Sequence, residues 1–179
     1  LAITAVEGLI MAIDNLLGKS PTPQVFSREQ QSESDFIAKL KRYQVYNPLG
    51  RYLYFKLLAL TVHGFIEQAV SVAAEAEKYI EHIVPSMDNY IFFFLYLYVN
   101  ILSVITEKAK PDEAKLENYY RNLKMVGEIS EVNFMPFLVL IDALRAWRQN
   151  DHWNALALFQ RAIELANKAE ISYLEGLTA

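Results

Sequence analysis

The chain has 179 residues, 53% of them apolar or aromatic, with a formal charge of −4 and no cysteine. That length fits one domain or one block of a longer array, and the apolar fraction suffices for a sizeable core. Weak acidity argues against nucleic acid as a partner, since phosphate binding needs a basic face. The missing cysteines rule out a disulfide framework, a thiolate nucleophile and a thiolate metal site, and they fit a cytoplasmic protein.

Over 1–17, the residues Ile3, Val6, Leu9, Ile10, Ile13, Leu16 and Leu17 recur at three- and four-residue spacing. This is an amphipathic helix, and Gly18 is placed to end it. Glu7 and Asp14 lie inside it and no basic start precedes it, so it is not a signal peptide. Residues 18–34, rich in Ser, Gln, Thr and Pro, read as a loop long enough to be functional or partly disordered. Ser32-x-x-Asp35 caps a second helix that carries Phe36, Ile37, Leu40 and Tyr43. Asn47-Pro48 is expected to stop it. A third helix covers 51–62 and turns at His63-Gly64. A fourth covers 65–84, with the small residues Ala69, Ala73 and Ala76 on one face, and Pro85 breaks it.

The segment 88–107 is the most apolar, with Phe92, Phe93, Phe94, Leu95, Leu97 and Val99 interleaved with tyrosines. A membrane span needs about 20 consecutive apolar residues, whereas this run is shorter and meets Asn100 and Ser103. A helix that is apolar on all sides is otherwise the buried centre of a bundle, so no membrane insertion is expected. Residues 112–129 form the next helix, with Leu116, Tyr119, Tyr120, Leu123 and Val126 on its apolar side. Asn133 is placed to cap a helix over 134–148, in which Pro136 fits only the first turn. After Gln149-Asn150-Asp151 a helix covers 152–168, and another starts near 171. No stretch alternates with period two for long enough to make a strand, so the class is all-α.

The C-terminal pair carries a repeat signature. Tetratricopeptide pairs place Ala-x3-Phe on the second helix, because a small residue lets the helices approach and the Phe fills the gap between pairs. Ala155 and Phe159, followed by Ala162 and Leu165, fit that pattern, and Ala143 takes the small position of the first helix. Ala146 and Asp142 depart from it, and no Pro closes the repeat. Weaker echoes are Gly64 to Ala76 and the trio Leu116, Tyr120 and Leu123, although three unrelated amphipathic helices would show the same spacing. The expected architecture is antiparallel helix pairs stacked as a tetratricopeptide-like right-handed superhelix. It forms one domain over 1–179: N-terminal helices and loop at 1–50, pairs at 51–84, 88–129 and 134–168, and the start of another helix at 170–179. A chain that begins at Leu1 without Met and ends in an apolar stretch is expected to be a piece of a longer protein.

Tyr54 to Leu60 with Gly64 and Ala69, the aromatic run 92–98, Asn133-Phe134 and the segment 159–166 carry a more particular likeness. Over about two thirds of the chain they resemble the divergent tetratricopeptide-like region of very large bacterial signalling proteins. In those proteins a serine/threonine kinase and a predicted P-loop ATPase precede the helical region, and sensor or histidine-kinase modules follow it. The resemblance implies a regulatory context and no catalytic residue.

The remaining motifs are inert on their spacing. Gly18-Lys19-Ser20 lacks the earlier Gly and the preceding strand of a phosphate-binding loop. His63, His82 and His152 form no ligand pair, and no nucleophile–base–acid set can be placed. No catalysis, metal or cofactor is expected. The expected role is a non-catalytic interaction and regulatory scaffold, its first helices lining a concave face that meets a protein. Arg51, Tyr54, Leu58, Leu140, Leu144, Trp147 and Arg148 are the candidate contact residues. A second reading is a ligand- or peptide-sensing domain in which the helix at 90–98 walls an apolar cavity. A third is an accessory domain of an enzyme whose chemistry lies elsewhere.

Overall fold

The computed structural model describes residues 2–27, 32–83, 87–106, 110–171, 174 and 176–177. Among them are eight α-helices and no strand: α1 (Ala2–Leu16), α2 (Glu33–Arg42), α3 (Tyr46–Val62), α4 (Ile66–Glu77), α5 (Met87–Ile105), α6 (Glu113–Ile129), α7 (Glu131–Arg148) and α8 (His152–Lys168). The chain divides into two compact units, Leu1–Asn89 and Tyr90–Ala179.

In the first unit α1, α2 and α4 all pack on α3, whose Leu49, Tyr52, Leu53, Leu57 and Leu60 are buried. The small face of α4 is where its spacing predicts, with Ala69, Ala73 and Ala76 buried. Gly8 of α1 allows a comparable approach, since a Cβ there would lie 2.8 Å from Cζ of Phe36. Gly18 ends α1 with φ +69°, a backbone that side chains disfavour. Beyond it the loop is pinned where it is described. The buried Asn15 donates from Nδ2 to the carbonyls of Pro23 (2.8 Å) and Val25 (3.1 Å), and Phe26 is fully buried. Lys56 lies over the Phe26 ring and pairs with Glu33.

Ser32 caps α2 by accepting the N–H of Asp35 at 3.1 Å. Asn47-Pro48, however, does not stop that helix. The chain leaves α2 after Arg42 and turns through Gln44 at positive φ, and Pro48 sits in the first turn of α3. The first N–H groups of a helix have no internal acceptor, so a proline there loses nothing. Tyr43, expected on the apolar side of α2, is its exposed C-cap. α4 also ends early, at Glu77, and tightens into the 3-10 turn Ile80–His82; the expected break at Pro85 lies outside the described residues.

In the second unit α5 is buried as its composition predicts, from Phe92 to Val99 apart from the half-buried Phe93. Its rings are used up in packing: Phe93 stacks on Tyr119 of α6 at 4.9 Å, and Phe94 meets Phe137 of α7 edge-on at 4.8 Å. No helix of the described residues is long and apolar enough to cross a membrane. Asp112 caps α6 by accepting the N–H of Lys115.

The start of α7 differs from expectation. It begins at Glu131 after Ser130, so Asn133 is not its cap but lies in the first turn and donates to Oγ of Ser130. Pro136 is consequently inside the helix. Having no N–H, it cannot donate to the carbonyl of Val132 four residues back, and Val132 is an exposed residue. α7 and α8 pack extensively on each other, with Ala143, Ala155, Ala162 and Ala166 all buried. Of the segment expected to start another helix near 171, Leu174 is buried and the carbonyl of Leu177 accepts a hydrogen bond from the Tyr98 hydroxyl at 2.9 Å.

Candidate functional site

A cleft of about 320 Å³ opens in the second unit between α5, α6 and α7. Its floor is aliphatic, made of Leu97 and Ile101 from α5 and Leu116 from α6, all three buried. Its rim is charged. Glu113 and Glu117 stand four residues apart on α6, and Arg145 and Arg148 three apart on α7, so each pair shares one helix face. Arg148 grips Glu113 with both terminal nitrogens, one contact being 3.0 Å, and Nη2 of Arg145 lies 3.3 Å from Glu117. The grip of Arg148 holds the Glu113 carboxyl below its ordinary range.

Arg145 is anchored on a second side as well. The Arg145 guanidinium sits 3.9 Å above the Tyr120 ring, a cation–π contact. Tyr120 in turn donates its hydroxyl to Asp142 at 2.7 Å. Burial raises the Asp142 carboxyl above its ordinary range. Burial, with Asp142 beside it, pushes the Tyr120 hydroxyl up to about 12. Side-chain exposure is 32% for Arg148 and 35% for Arg145, against 60% for Glu113 and 53% for Glu117.

The expected contact residues divide between the units. In the first, Arg51 is exposed, Leu58 half-buried and Tyr54 buried. In the second, Trp147 and Arg148 are exposed at the end of α7, whereas Leu140 and Leu144 are buried. Tyr54, Leu140 and Leu144 therefore pack and do not present themselves to a partner. The reason for the last two is that α7 is enclosed: it packs on α6 and α8 and meets α5 through Phe137.

At the α7–α8 corner Trp147 remains 47% exposed, Trp153 86% and Leu156 51%. Trp147 makes edge-on ring contacts with His152 (6.0 Å) and Phe159 (5.8 Å) of α8, so Phe159 meets the first helix of its own pair. The rim charges Glu113, Glu117 and Arg145 were not among the expected contact residues, because each looks like an ordinary solvated charge. One signal did exist: Asp142 occupies a position where the repeat calls for Leu, and an acid in an apolar register needs a buried partner.

Among the described residues no three His, Asp or Glu side chains are grouped to hold a metal ion. Fold and cleft together define an all-α chain of packed helices with a charged-rimmed, aliphatic-floored cleft in its second unit. No protein-family model, curated protein or solved structure matches it.

Proposed function

We propose that the chain is a non-catalytic interaction module, a divergent tetratricopeptide-like stack of helix pairs that docks a protein at the α7–α8 corner. The observation that carries this is the exposure of Trp147, Trp153 and Leu156 beside one helix turn. Exposed apolar residues gathered in one patch mark interaction surfaces, and Trp dominates the energetics of interfaces. The tetratricopeptide-like reading is supported by the buried alanines of α7 and α8. The wider context, a cytoplasmic regulatory block between catalytic and sensor modules, rests on the sequence resemblance.

The test is a photo-crosslinking residue in place of Trp153, with a second at exposed Lys124 on α6 as control. The reading predicts one protein adduct at position 153 that disappears on Leu156→Asp, and binding of that purified protein in titration. Equal labelling at both positions would overturn it.

A further inference from the structure

We infer that the cleft between α5, α6 and α7 binds a small free carboxylic acid with a short aliphatic body. Its carboxylate would sit on Arg148 and its alkyl group against Leu97, Ile101 and Leu116. The three floor side chains offer no polar atom, so the part of a ligand resting on them is hydrocarbon; Gln149 also lines the cleft. A volume of about 320 Å³ lies at the lower limit of ligand pockets, roughly 300 Å³, which restricts the body to a short one.

The sign of the ligand follows from which half of the rim is fixed. Arg145 is held on the Tyr120 ring at 3.9 Å, and both arginines are less exposed than their partners. Glu113, at 60% exposure, can turn into water, and an exposed ion pair holds it only weakly. An incoming carboxylate can therefore replace Glu113, whereas an incoming ammonium cannot displace Arg148 as readily. The Arg fork also matches a planar carboxylate with two parallel hydrogen bonds. Glu113 already occupies that fork, so in the free protein its own carboxylate stands where the ligand's would be.

This site shares no residue with the exposed patch of Trp147, Trp153 and Leu156 and is tested separately, by calorimetric titration of the whole chain with isocaproate near neutral pH. Saturable binding at one site is expected, with a raised thermal midpoint. Glu113→Gln should bind several-fold more tightly, because the internal competitor loses its charge. Arg148→Ala should bind at least tenfold more weakly with its helical circular dichroism intact, and Asn167→Ala, at an exposed position of α8 outside both sites, should bind as the parent does. Isopentylamine, of the same body and opposite charge, should not bind. No saturable heat, unchanged affinity in both rim variants, or equal binding of the amine would overturn the proposal. So would tighter binding of N-acetyl-leucine, which carries the amide of a peptide terminus.

Discussion

Asp142 shows how one side chain can oppose the fold that holds it. Burial raises its carboxyl, against the opposing pull of the Tyr120 hydroxyl, Arg145 and Lys124. Because its proton is held more tightly in the folded chain, stability falls as pH rises from the unfolded-state value of about 3.9 through the folded one. The loss is complete only above the folded value. Asp142→Asn keeps an acceptor for Tyr120 and removes the charge that burial disfavours, so stability at pH 7 should be unchanged or higher. Tyr120→Phe removes the donor and should cost about 1–3 kcal/mol. Urea unfolding at pH 7 separates the two, and a greater loss in the Asn variant would contradict the role given to burial. Gly8 is the steric counterpart. A methyl group there meets Phe36 at 2.8 Å and Tyr52 at 3.1 Å. Gly8→Ala should lower the thermal midpoint, because overpacking of about 1–3 kcal/mol outweighs a helix-propensity gain of about 0.5–1 kcal/mol.

At the level of helices, the small-residue faces do what their spacing implies. Ala73 is buried while its neighbour Ala74 is exposed. Ala73→Leu should cost about 1–3 kcal/mol by forcing α4 away from α3, and Ala74→Leu should stay within about 0.5 kcal/mol. Both substitutions share one helix and one change of side chain, so a comparison of denaturation midpoints isolates the packing; equal effects would refute it. Helix ends were less legible than helix faces. Pro48 and Pro136 are the same residue, yet one begins a helix and the other lies inside one. Proline tells the chain where an N–H is missing, but whether that omission matters depends on whether an exposed or buried carbonyl is left without it.

Across the molecule, acid should act through paired carboxylates. Glu75 is held below its ordinary value by hydrogen bonds from Lys41 and Lys78, and Glu113 by Arg148. A depressed folded pKa means that stabilisation is complete above the unfolded value near 4.5 and is lost as pH falls through the folded one. The denaturation midpoint should therefore decline below about pH 4.5, less steeply when salt screens the exposed pairs. In the double variant Glu75→Gln and Glu113→Gln that part of the decline should be absent. An identical acid profile in parent and double variant would assign acid sensitivity to other groups.

The residues of one helix are ordered by its own 3.6-residue period, so the all-α class, the buried α5 and the alanine faces of α4 and α8 could be read without coordinates. Periodicity gives the direction of a side chain about its helix axis. It does not say which neighbour lies in that direction. Leu140 and Leu144 were therefore indistinguishable from surface contacts until the packing of α7 on α5, α6 and α8 enclosed them. The fork of Arg148 on Glu113 joins residues 35 apart in sequence, and Arg145 reaches Glu117 across 28. Both depend on the register of α6 against α7, which is set by how their buried faces mesh. The charged rim, and with it the cleft, comes into being at that step.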